Sequence, residues 1–112
     1  MNHTRWKLAH ERKLADGYIE PPEVTAEREQ IRLAMALGQL VYDRRTELGL
    51  SQSDLASRLR MSAEDVDSIE VGGVLPVTSG LLARLAAALS VAVDVRLAPS
   101  GDTAVTFDAH AA

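Results

Sequence analysis

The chain has 112 residues and a net charge of −4, enough for one domain with a modest core. Hydrophobic residues make up 46% and aromatics only 4%, so aliphatic side chains must fill that core, and the absence of cysteine excludes disulfides and thiolate chemistry. No apolar run approaches the ~20 residues of a membrane span, the first residues lack a signal-peptide apolar region, and a soluble cytoplasmic protein is expected.

In chain order, residues 1–18 form a small amphipathic unit. Trp6, Ala9 and Leu14 can share a helical face, and Arg5, Lys7, Arg12 and Lys13 against Glu11 and Asp16 leave it locally basic. It reads either as a short packed helix or as an arm for a partner or a DNA backbone, with Trp6 and Tyr18 as partner-binding residues. His3 and His10 have no third ligand nearby, so no metal site is expected, and no cofactor. Residues 17–24 are a break, because two consecutive prolines forbid helix continuation. From about Thr25 a helix is predicted through Glu47, with Ile31, Ala34, Leu37, Val41 and Leu48 on its apolar face.

Leu48 to Gly72 reads as two short helices joined by a tight turn. Ser51 with Asp54, and Ser62 with Asp65, are two Ser-x-x-Asp helix starts. Apolar pairs flank each start: Leu50 with Leu55, and Met61 with Val66. Gly72 and Gly73 end the second helix. A further helix holds Leu81, Leu82, Leu85, Ala88 and Leu89 as core. Then Val91, Val93, Val95 and Leu97 alternate with Ala92, Asp94 and Arg96, as in a half-buried strand. After a turn over residues 98–102, Thr103, Val105 and Phe107 alternate again. A lone hairpin is marginal and leaves unpaired edges, so this tail is expected to pair with a second copy, making Val91, Val93, Val95 and Leu97 a dimer strand.

Gly49-Leu50-Ser51-Gln52, Leu55-Ala56, Leu59, Ser62, Val66, Ile69-Glu70 and Gly72 together resemble the helix-turn-helix of Cro/C1-type (XRE-like) DNA-binding regulators. The resemblance spans roughly residues 33–91. It implies a mainly α, lambda-repressor-like bundle, here with an N-terminal helical arm and linker (1–22), a helix-turn-helix domain (23–90) and a C-terminal strand or hairpin with its tail (91–112). By the same resemblance the second motif helix enters the major groove of operator or promoter DNA, and Ala63, Glu64 and Ser68 face the bases with Asp67 alongside. Gln52 holds a phosphate, Arg58 and Arg60 are candidate phosphate contacts, and Arg45 and Glu70 form a partly buried ion pair. Arg44, beside the pair, points outward toward a phosphate.

The composition of this motif also pulls the other way. Between Ser51 and Pro76 five acids (Asp54, Glu64, Asp65, Asp67 and Glu70) stand against two arginines, which disfavours phosphate neutralisation. Asp65 can be consumed in capping, and Glu64 can accept from a cytosine amino group. Arg60 stands where the family commonly has glycine, so it must take a left-handed conformation. The stretch VDVRLAP after the last helix further resembles HigA-type antitoxins, which implies a RelE-like toxin partner and repression of the chain's own operon. The alternatives are a stand-alone XRE-family regulator and a helix-turn-helix protein-interaction module with little DNA binding. No nucleophile–base pair or phosphate-cradling loop suggests an enzyme.

Overall fold

The computed structural model describes residues 21–98 and 103–109. They form four helices, α1 (Pro22–Glu47), α2 (Gln52–Leu59), α3 (Ala63–Glu70) and α4 (Ser79–Leu89), followed by strands β1 (Ala92–Arg96) and β2 (Ala104–Asp108). The protein is mainly helical, with one small antiparallel hairpin. No described helix is long and apolar enough to cross a membrane.

The double proline begins α1 instead of preceding it. Pro21 is the N-cap and Pro22 the first helical residue, a position where the missing N–H would be unpaired anyway and the fixed φ suits a helix. The helix then runs 26 residues, about 39 Å at 1.5 Å per residue. Its buried line is Leu33, Ala34, Leu37, Gly38 and Val41. Two residues expected on that face are exposed, Ile31 at 49% and Leu48 at 38%. Ile31 instead shares an outer stripe with Val24, Met35 and Tyr42, all exposed.

The two short helices owe their starts to local hydrogen bonding. The Ser51 hydroxyl accepts from the Asp54 N–H (3.0 Å), and the Ser51 N–H donates to the Asp54 carboxylate (2.9 Å). Ser62 and Asp65 repeat the arrangement at 3.0 and 3.2 Å. Each box satisfies donors that a helix start leaves open. Leu55 and Val66 are fully buried behind them, with Leu50 and Met61 half-buried at the entries. Arg60 closes α2 in the left-handed region (φ 57°, ψ 48°), and Gly72 takes φ 76° just beyond α3. The serine at 90, which closes α4, is also left-handed (φ 54°), a feature without a glycine to announce it.

Leu37, Val41, Leu55, Leu59, Val66, Leu85 and Leu89 are the largest fully buried side chains and join all four helices. At roughly 1.5–3 kcal/mol per buried aliphatic side chain, this cluster is the main stabilising term. The hairpin lies over it with Val93 opposite Phe107 and Val95 opposite Val105. β2 packs along α1, where the Thr103 hydroxyl bonds the Glu29 carboxylate. Val91 and Val105 are buried and Val93 is half-buried, but Val95 (38%) and Leu97 (71%) are exposed. The expected apolar face is therefore core at its start only; toward the tip β1 runs off the helices as the outer strand.

Candidate nucleic-acid interface

The surface that the sequence singles out is built on α2, α3 and the end of α1. Arg45 joins them. Its Nε and Nη2 donate to the two carboxylate oxygens of Glu70 at 2.7 and 3.0 Å, and its Nη1 donates to the Leu50 carbonyl at 2.8 Å. The side chains are 11% and 6% exposed, and the guanidinium lies 5.3 Å from the centre of the Tyr42 ring. The hydrogen bonds it donates to Glu70 hold the Arg45 pKa above its ordinary value. A bidentate fork of this kind fixes the angle between α1 and α3.

Gln52 opens α2 beside this pair. Its Nε2 donates to Asp67 (3.1 Å) and to Glu70 (3.4 Å), so the amide bridges the first turn of α2 to the second half of α3. Glu64, Asp67 and Ser68 are exposed on α3, and Ala63 is half-buried. Asp65 is engaged in its capping box.

Two of the proposed phosphate contacts sit differently from expectation. Arg44 does not point outward: its side chain is 15% exposed, its Nε donates to the Leu89 carbonyl (3.0 Å), and its Nη1 meets Glu47 (3.2 Å). Arg58 donates from Nη1 to the Ala88 carbonyl (3.0 Å). Both serve the C-terminal end of α4, which has no basic residue in its own last turn. The last carbonyls of a helix lack intrahelical donors and carry partial negative charge, so a nearby guanidinium is drawn there. Arg84 makes the reciprocal contact from α4, donating to the Leu59 carbonyl at the end of α2. Sequence reasoning missed Arg84; no local pattern marks a side chain that caps another helix. Arg60 is exposed.

The consequence is electrostatic. Of the two arginines between Ser51 and Pro76, one is tied to α4, while Glu64 and Asp67 face solvent. A duplex approaching α3 would meet carboxylates first, and phosphate neutralisation would have to come from Arg60, from the exposed remainder of Arg58, from helix N-termini or from a second chain. Among the described residues no group of three or more His, Asp or Glu is placed to hold a metal ion. Trp6 and Tyr18 lie outside the described residues.

Asp54 gives a test of the first capping box. Its pKa is lowered, first by the Ser51 N–H and then by the Ser51 hydroxyl. A depressed carboxylate contributes stability above its unfolded pKa, and the contribution is lost as pH falls through the lower folded value. Asp54→Asn is therefore expected to flatten the acid limb of thermal stability below about pH 4. An unchanged acid limb would show that the box does not hold the carboxylate.

Comparison with models of known protein families gives no match, and a search of curated proteins finds none that matches.

Proposed function

We propose that this chain is a sequence-specific, double-stranded-DNA-binding transcriptional regulator of the XRE-like, lambda-repressor-like helix-turn-helix type, acting in the cytoplasm as a homodimeric repressor. The observation that carries this reading is the α2–α3 pair. Two eight-residue helices, each opened by a Ser-x-x-Asp box, are joined through a left-handed Arg60 and locked to α1 by Arg45 and Glu70. That arrangement leaves the outer face of α3, with Ala63, Glu64, Asp67 and Ser68, available to base edges. Glu64 fits a cytosine amino group, and Gln52 and Arg60 border the phosphate track. The role is one of binding, without catalysis.

A narrower form of the proposal is an antitoxin that also binds a RelE-like toxin and represses its own operon. Its support is the VDVRLAP stretch and the apolar residues on α1 that face solvent. Co-expression with the product of a neighbouring small basic open reading frame would test it, and failure to co-purify would leave the stand-alone regulator.

A second reading, a protein-interaction module, is favoured by one observation: Arg44 and Arg58 are occupied by carbonyls of α4 while the acids of α3 are exposed. Fluorescence-anisotropy titration against the chain's own upstream promoter, at two salt concentrations, separates the two. A regulator binds saturably, prefers that duplex over random DNA and weakens as salt rises. Glu64→Ala then changes the sequence preference, whereas Arg60→Ala weakens all duplexes alike. Absence of preference at low salt would overturn DNA recognition by the protein alone.

A further inference from the structure

The hairpin leaves one edge of β1 unpaired among the described residues, since the sheet has only the two strands. That edge is accessible where it matters: Asp94, Val95, Arg96 and Leu97 are all exposed, whereas Val91 and Val93 lie against the core. Unpaired N–H and C=O groups beside exposed valine and leucine form a template for another strand. Among the described residues neither charge of β1 faces an opposite charge directly across on β2, because Asp94 lies opposite Thr106 and Arg96 opposite Ala104.

We propose that β1 pairs antiparallel with β1 of a second copy about a two-fold axis at Val95, giving a continuous four-stranded sheet. This deepens the homodimer of the proposed function by fixing its register and contacts, and it rests on that reading only for the partner being a second copy. Symmetric antiparallel pairing places residues of the same face opposite one another, so the axis must pass through one residue of the strand. Centring on Asp94 would set Asp94 against its own copy, and centring on Arg96 would set Arg96 against its own; like charges directly opposite are destabilising. Centring on Val95 avoids both. It sets Asp94 opposite Arg96 of the second copy twice, Val95 opposite Val95, and Val93 opposite Leu97 twice. The apolar row covers the two exposed side chains at the tip, and the charged row on the other face stays wet.

The register is tested by charge reversal, read by sedimentation equilibrium. Wild type is expected to dimerise. D94R and R96D each place like charges opposite one another at two positions and should weaken the dimer about tenfold or more, with the monomer fold unchanged by circular dichroism because both side chains are exposed. The double reversal D94R/R96D restores complementarity and should restore the dimer. An equimolar mixture of the two single variants should form a heterodimer. The chain has no native cysteine, so V95C offers a direct geometric check. Directly opposite residues have Cα atoms about 4.5–5.5 Å apart, within disulfide reach, and oxidation should give a covalent dimer. A wild type that stays monomeric overturns the proposal and the homodimer reading together. A tight dimer insensitive to both reversals, with no V95C cross-link, overturns this register and leaves the homodimer on another surface.

Discussion

Glu70→Ala is expected to lower the stability of the folded chain by up to about 3 kcal/mol, the low end of the range seen when one partner of a buried ion pair is removed, because this pair is partly buried. A single domain has only about 5–15 kcal/mol in total, so the variant should unfold at a much lower denaturant concentration. The reason lies in what remains. Arg45 would keep its bond to the Leu50 carbonyl and its place beside Tyr42, but Nε and Nη2 would lose both carboxylate oxygens at a site where the side chain is 11% exposed. Gln52 would lose one of its two acceptors as well, loosening the bridge from α2 to α3. Arg45→Ala should be as harmful, because Glu70, 6% exposed, would retain only the long bond from Gln52. Replacing both with apolar residues of similar volume is expected to recover much of the loss, since no unpaired charge is then left behind. Urea denaturation of the two singles and the double forms a cycle. A coupling near zero would show that the pair is solvated and contributes little.

How much of this was legible in the sequence depended on how local each signal is. The two capping boxes and the glycine stop at Gly72 follow from residues within four positions of one another, whereas the left-handed Arg60 is expected only from the resemblance, and the structure has each of them. The hairpin was legible from alternation, although its face divides between a buried start at Val91 and an exposed tip at Leu97. The buried face of α1 was misread in part because that helix carries two apolar stripes. One is Leu33, Leu37 and Val41; the other is Val24, Ile31, Met35 and Tyr42. Periodicity alone does not choose between them; the positions of α3 and β2 against α1 do. The bonds of Arg44 and Arg58 to α4 are not legible in the sequence for a related reason. Their acceptors are carbonyls 45 and 30 residues away, at the end of a helix whose position no local pattern reveals.

Gly38 lies on the buried stripe where the end of α3 crosses α1, and the second large effect is expected there. In an exposed helix interior, glycine to alanine is worth up to about 1 kcal/mol of added stability. At Gly38 the sign should reverse. A Cβ there would lie 2.5 Å from the Ile69 carbonyl oxygen, 2.6 Å from that of Glu70 and 2.9 Å from the Glu70 carbonyl carbon. These are backbone atoms at the end of α3 and cannot rotate aside as a side-chain tip could. The helix must move away from α1, and that movement stretches the Arg45–Glu70 fork and lifts Ile69, 3% exposed, from the core. Overpacking of this kind costs typically 1–3 kcal/mol, and the disturbed ion pair adds to it, so Gly38→Ala should destabilise strongly and Gly38→Val still more. Gly80 is the internal comparison: it lies near the start of α4, and a Cβ there would meet only the Thr78 hydroxyl at 3.9 Å. Gly80→Ala should therefore be neutral to stabilising. Because Gly38 and Glu70 meet at one crossing, Gly38→Ala combined with Glu70→Ala should cost less than the two losses added together. Denaturation midpoints decide it. A Gly38→Ala variant as stable as wild type would mean that α1 and α3 do not cross this closely, and the fixed angle on which the α3 surface depends would be lost with it.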